Sequence, residues 1–150
     1  MNVLVGTSGF AFKEWKGPFY PEDLKDDAML GYYSGKYPTV EINNTFYRLP
    51  REHVLQDWAS QVPDTFTFPM KASQRITHFG RLKPEAKDAL DFMLRNTNLL
   101  GGKLGPMQYH PSAGWLKANG YSEDLEKCVH IPRAADLPTK RNINEQPWVI

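Results

Sequence analysis

Thr39-Val40-Glu41-Ile42-Asn43-Asn44-Thr45-Phe46-Tyr47-Arg48 is the stretch on which the reading of the chain turns. Side chains alternate along an extended backbone, so Val40 and Ile42 share one face and Glu41 and Asn43 the other. In a half-exposed strand the polar face would be wet. In a parallel barrel it would point inward, toward the mouth formed by the carboxyl ends of the strands. The strand alone leaves both readings open, and its neighbours must decide between them.

Upstream, Met29, Leu30, Tyr33 and Tyr37 recur at three- to four-residue spacing, Asp26 or Asp27 is placed to cap the helix, and Pro38 ends it. Val3-Leu4-Val5 is expected to be a buried strand running into a turn at Gly6-Thr7-Ser8-Gly9. Strand, helix and strand thus fall within about forty residues, the spacing of a βαβ unit. Gly6 and Gly9 make neither a dinucleotide fingerprint nor a phosphate loop, since no third glycine or Gly-Lys-Ser/Thr follows. Between turn and helix, Phe10, Phe12, Trp15, Phe19 and Tyr20 alternate with Lys13, Glu14 and Lys16. Rings in such a loop can stack on sugars or bases, but they more often pin the loop to the domain, and that is the expectation here.

Downstream, the spacing predicts a helix from Glu52 to Val62, striped by Val54, Leu55, Trp58, Ala59 and Val62, with His53 beside the stripe as a solvated or hydrogen-bonded side chain. Thr65 to Lys71 alternates again, with Phe66, Phe68 and Met70 on one face and Thr65, Thr67 and Lys71 on the other. If the aromatic face meets the helices, Lys71 points the way of Glu41 and Asn43; otherwise it leaves the sheet for water. Ser73, Gln74, Arg75, Thr77 and His78 form a polar loop. A helix opened by proline follows over Pro84 to Thr97, stopped by Gly101-Gly102, and a fourth strand centres on Gly105-Pro106-Met107-Gln108-Tyr109. From His110 onward prolines break the pattern, only Ser122 to Val129 has helical character, and Pro132 to Ile150 is expected to be irregular.

The totals exclude several classes. The 150 residues carry a net charge of +1, 41% are apolar and 23% charged, which suits a globular domain without a polyanion partner dictated by charge. Cys128 is the only cysteine, so there is no internal disulfide and no thiolate set for zinc, and no histidine can be placed beside it to make it a nucleophile. His53, His78, His110 and His130 are scattered, and no metal or cofactor is expected. No run approaches the roughly 20 apolar residues needed to span a bilayer, so no membrane partner is expected and a cytoplasmic location is the default.

Five blocks together resemble the YecE-like domain of unknown function, numbered seventy-two. They are Val5-Gly6-Thr7-Ser8-Gly9-Phe10; Trp15-Lys16-Gly17 with Phe19-Tyr20-Pro21; Thr39 to Tyr47; Met70-Lys71-Ala72-Ser73 with Ile76-Thr77-His78; and Lys103-Leu104-Gly105-Pro106. The resemblance implies an α/β fold, a TIM-type (β/α) barrel, whose polar residues gather at the carboxyl ends of the strands. Through their own blocks, Glu41 and Lys71 become catalytic candidates and Thr7, Asn43, Tyr47, His78 and Gln108 substrate-binding candidates. The family usually runs to about 250 residues, a whole barrel, with a glutamine-leucine-proline-proline block after the fourth strand. Here Gln108 is followed by Tyr109-His110-Pro111. The expectation is therefore a truncated or frameshifted homologue diverging near Met107, with residues 1–109 forming a partial barrel of about four βα units and 110–150 a divergent, mostly irregular tail.

Three functions compete. In an enzyme or its remnant, Glu41 would be general acid or base and Lys71 would neutralise a developing negative charge on a phosphate- or sugar-containing molecule. In a binding module, the aromatic loop with Lys71, Arg75 and Arg81 would hold a nucleic acid or sugar phosphate without turnover. In the third, the isolated chain has no full independent activity, and its exposed barrel edges favour self-association.

Overall fold

The computed structural model describes residues 3–109 and 129–131. Four strands, β1 (Gly6–Ser8), β2 (Thr39–Glu41), β3 (Phe68–Lys71) and β4 (Leu104–Tyr109), lie side by side in chain order, all parallel. β1 pairs with β2 in the register Gly6 to Thr39, Thr7 to Val40 and Ser8 to Glu41. β2 meets β3 through the bridges Thr39 to Thr67 and Ile42 to Met70, where the Ile42 amide donates to the Pro69 carbonyl at 2.8 Å and the Lys71 amide to the Ile42 carbonyl at 3.0 Å. Helices α1 (Met29–Ser34), α2 (Glu52–Gln61) and α3 (Lys87–Thr97) separate successive strands. This is the βα alternation that the hydrophobic periods predict.

Sidedness follows from burial. Val40, Ile42, Phe66, Phe68 and Met70 share a core with Leu30 and Tyr33 of α1 and Leu55 of α2, each 6% exposed or less. Burying each such side chain fully contributes about 1.5–3 kcal/mol, which fixes this face against the helices. Glu41, Asn43 and Lys71, each half-buried, are thereby turned to the opposite face. A bulge lets β4 accept its proline: Phe68 lies opposite Leu104 but Met70 opposite Met107, so one extra residue is absorbed around Pro106. A Cβ on the adjacent Gly105 would sit 2.6 Å from the Pro69 nitrogen, so only glycine permits this approach.

The aromatic loop is pinned down, as expected. Tyr20 is 1% exposed and its hydroxyl donates to the Phe10 carbonyl at 2.7 Å, while Phe10, Trp15 and Phe19 pack on the core. Burial, with the neighbouring Tyr33 second, raises the Tyr20 pKa to about 12.

Four expectations are corrected. Val3, Leu4 and Val5 are not a buried strand; they are 63%, 48% and 66% exposed, and pairing begins only at Gly6. The reason is topological, because among the described residues β1 has a strand partner on one side only. Asp26 and Asp27 do not cap α1; they open a 3-10 turn, Asp26–Ala28, without a side-chain cap bond. The Asp26 carboxylate is claimed by Lys16 at 2.8 Å and Lys13 at 3.4 Å, whose hydrogen bonds hold its pKa below the usual value. Asn43 is not part of the strand, since the chain turns at Asn43 into a 3-10 turn over Asn44–Phe46. Finally, Val129 does not end a helix; it opens β5 (Val129–Ile131), which pairs antiparallel with β4 over Tyr109, Gln108 and Met107. The rest of the expected 122–129 helix and the expected irregular run 132–150 lie outside the described residues. No helix among the described residues is long and apolar enough to cross a membrane.

Candidate functional site

Register places the polar side chains. Ser8 lies beside Glu41 and Lys71 beside Gln108, while the Ile42 to Met70 bridge sets Asn43 next to Lys71. Paired residues in parallel strands project to the same side, so Ser8, Glu41, Lys71 and Gln108 form a row, one from each of four adjacent strands, near the strands' carboxyl ends. Neighbouring strands are about 4.8 Å apart and each residue rises about 3.3 Å, so Glu41 and Lys71, offset by two positions, are about 8 Å apart at Cα. No direct ion pair joins them among the described residues.

Two clusters organise this row. In the first, the Asn43 amide Nδ2 donates to the Ser8 hydroxyl and, at 3.4 Å, to Glu41 Oε2, so one side chain ties β1 to β2. A cleft of about 340 Å³ opens beside them, lined by Ser8, Glu41, Asn43 and Asn44 and walled by Phe10 and Trp58. In the second, the Lys71 ammonium lies 5.1 Å from the centre of the Phe46 ring. His78 meets the same ring edge to face at 5.1 Å, and Tyr47 does so at 4.9 Å. A hydrogen bond of 2.8 Å between His78 Nδ1 and the Thr77 hydroxyl orients the imidazole. His78 itself sits on a π-helical turn, Arg75–Phe79.

Thr45 locks the clusters together. Fully buried, its hydroxyl faces the Ile42 carbonyl at 3.0 Å and the Lys71 carbonyl at 2.6 Å, tying the turn after β2 to the end of β3. The chemistry available is a carboxylate, two amides and a hydroxyl on one side, and an ammonium and an imidazole on the other.

Most residues expected at the site are brought together: Glu41, Lys71 and Gln108 by the strands, Asn43, Tyr47 and His78 by the turns that follow them. Tyr47 is 74% exposed and Gln108 only 7%, so they occupy the rim and the floor. Thr7 does not join them. It pairs with Val40, on the helix side, and its hydroxyl lies 2.9 Å from that of Tyr33 and 2.6 Å from the Gly9 carbonyl. The next residue, Ser8, takes the inward place. Sequence reasoning also passed over Phe46 and Thr45; the alternation that continues past Ile42 was the available signal, but it gives no hint of the 3-10 turn that folds both back over the site.

Relatives share this arrangement of chain. Residues 4–139 match the family model described as a protein of unknown function, DUF72. The UPF0759 protein YunF of Bacillus subtilis (strain 168) is 28% identical over 155 residues, covering 97% of this chain and 52% of its own length. The chain thus spans about half the length of the curated relative it matches. A DUF72 family protein from Thermotoga maritima MSB8 superposes with a TM-score of 0.56 at 32% identity, covering 69% of this chain and 42% of that one. Another, from Enterococcus faecalis V583, gives 0.52 at 21% identity over 67% and 36% of the two chains, a likeness of fold alone. With parallel strands, intervening helices and TIM-barrel-like neighbours of this kind, the chain belongs to the DUF72 family.

Proposed function

We propose that the row at the carboxyl ends of β1 to β4 binds a phosphate- or sugar-containing small molecule, with Glu41 as general acid or base and Lys71 neutralising negative charge that develops on the ligand. The observation that supports this most is that Ser8, Glu41, Lys71 and Gln108 fall in one row on one face of four adjacent parallel strands. Convergence of unlike polar groups at that end of a parallel sheet is where barrels carry chemistry. Asn43 steadies the carboxylate, and Phe46 and His78 hold the ammonium side. On this reading residues 1–109 supply about four βα units of a barrel, with β5 added antiparallel to the edge of β4. In a complete (β/α) barrel the mouth draws on loops from all eight units, and the four described units would supply part of such a site.

The test is titration of the chain with inorganic phosphate, followed by NMR shifts of Lys71 and His78. Lys71→Met should abolish the saturable shift, and Glu41→Gln should leave it. Phosphate binding that survives Lys71→Met would defeat the assignment. Nucleic-acid binding, the competing reading, has less behind it, since Arg75 and Arg81 are exposed and Arg75 lines a cleft with Tyr47 and Arg48 away from the β1–β2 cluster.

A further inference from the structure

We propose that the cleft beside β1 and β2 is a subsite for an uncharged sugar ring, set next to the cationic part of the site. This rests on the reading above and names the part of the ligand that each side receives. The polar lining of the cleft is Ser8, Glu41, Asn43 and Asn44, and among the described residues no lysine, arginine or histidine contributes to it. A carboxylate unaccompanied by a cation repels a phosphate but accepts hydrogen bonds from hydroxyls. Asn43 spends its amide hydrogens on Ser8 and Glu41, leaving its amide oxygen and the other Glu41 oxygen to accept, while the Ser8 hydroxyl and the Asn44 amide donate. Adjacent acceptors and donors match the adjacent hydroxyls of a sugar edge.

The opposite wall suits the other face of such a ring. Phe10 and Trp58 meet edge to face, with centres 6.2 Å apart at 85°, and form an apolar corner for the C–H surface of a saccharide. Trp58 in turn stacks on the buried Phe68 at 6.1 Å, which backs the corner from the core. A volume of about 340 Å³ is at the small end of the ~300–1,000 Å³ typical of ligand sites, which fits one ring and not a chain of them. The cations lie beyond the Asn43 turn: Lys71 over Phe46, and Arg48 and Arg75 on a second cleft of about 540 Å³. A phosphorylated monosaccharide would therefore lie with its ring toward Glu41 and its phosphate toward Lys71.

The experiment titrates the 150-residue chain with D-glucose, D-galactose, D-xylose and D-ribose, and separately with glucose 6-phosphate and inorganic phosphate, following the Trp58 indole resonance. At least one neutral sugar should shift it saturably, with an affinity unchanged by salt. Asn44→Ala, an exposed substitution that leaves the core intact, and Glu41→Gln should each weaken that binding by about tenfold, the loss of one good hydrogen bond. Lys71→Met should leave neutral-sugar binding unchanged and weaken only glucose 6-phosphate. If inorganic phosphate binds and no neutral sugar does, this inference fails and the phosphate assignment stands. If neutral sugars bind and phosphate does not, the inference stands and the role of Lys71 falls. If neither binds, both are overturned.

Discussion

The ammonium of Lys71 lies 5.1 Å from the centre of the Phe46 ring, and the imidazole of His78 stands edge to face on that same ring at 5.1 Å. One aromatic side chain from the turn after β2 thus positions two polar groups from β3 and the loop behind it. A cation held over a ring at a partly exposed site gains about 0.5–1 kcal/mol. Phe46→Leu should therefore loosen Lys71 and reduce phosphate affinity about threefold, with Phe46→Tyr restoring it because the ring is kept. Equal affinities in the wild-type chain and in Phe46→Leu would show that the ring merely fills space.

Thr45 should matter more to the fold than its size suggests. Its hydroxyl reaches the carbonyls of Ile42 and Lys71 in a fully buried position. Thr45→Val keeps the shape and deletes the hydroxyl, removing the one donor that the Ile42 and Lys71 carbonyls share, at a cost of about 1–2 kcal/mol. Urea denaturation reads this directly, and an unchanged midpoint would mean that water takes over the hydroxyl's place.

Lys103 presents a contrast between two kinds of polar contact. Its side chain is 15% exposed and donates to the Ala59 and Val62 carbonyls at 2.6 and 2.8 Å, capping the end of α2, while its partner Asp64 at 3.3 Å is fully exposed. Lys103→Met should destabilise by about 1–3 kcal/mol because the helix-end carbonyls lose their donor. Asp64→Ala should cost less than about 1 kcal/mol, since an exposed partner is screened by water. Comparable losses in the two variants would assign the effect to the ion pair instead.

How far the sequence reaches is visible at particular residues. Val40, Ile42, Phe68 and Met70 were readable as a core face because a period of two, backed by apolar bulk, admits one sidedness once helices cover the sheet. Parity grouped Glu41, Asn43 and Lys71 on one face but left open whether that face was wet or turned inward, which the burial of the opposite face decides. Ser8 was not readable, because exchanging Thr7 for Ser8 is a shift of a single residue, and only the pairing of Gly6 with Thr39 settles it. The short strand begins where glycine lets two backbones approach, not where the apolar run begins: a Cβ on Gly6 would fall 2.0 Å from the Thr39 carbonyl oxygen. Phe46 and β5 escaped for a different reason. Each depends on a chain reversal that leaves no periodic trace.

Tyr20 makes stability depend on alkaline pH. Burial raises its pKa from 10.0 to about 12, so the folded state favours the protonated phenol more than the unfolded state does. The stabilisation is complete below pH 10 and is lost as pH rises toward 12, because the unfolded chain releases the proton first. Tyr109, raised by burial as well, adds to the same window. Denaturation midpoints should fall steeply across this range, and Tyr20→Phe should flatten the fall; a variant with the wild-type slope would exonerate Tyr20.

The outer edge of β1 should join two copies of the chain. Among the described residues β1 is paired on one side only, whereas the far edge of β4 is covered by β5. Val3, Leu4 and Val5 continue the open edge with apolar side chains 63%, 48% and 66% exposed, and no charged side chain lies between Val3 and Phe12. Two identical edges satisfy each other about a two-fold axis, with β1 antiparallel to its copy. Sedimentation should show the 17.2 kDa chain assembling into a dimer as concentration rises. Val5→Lys places a charge on each side of the axis and should return it to monomer without lowering the denaturation midpoint at low concentration. A dimer that tolerates Val5→Lys would place the contact elsewhere, and a chain that stays monomeric at every concentration would remove the edge as an interface.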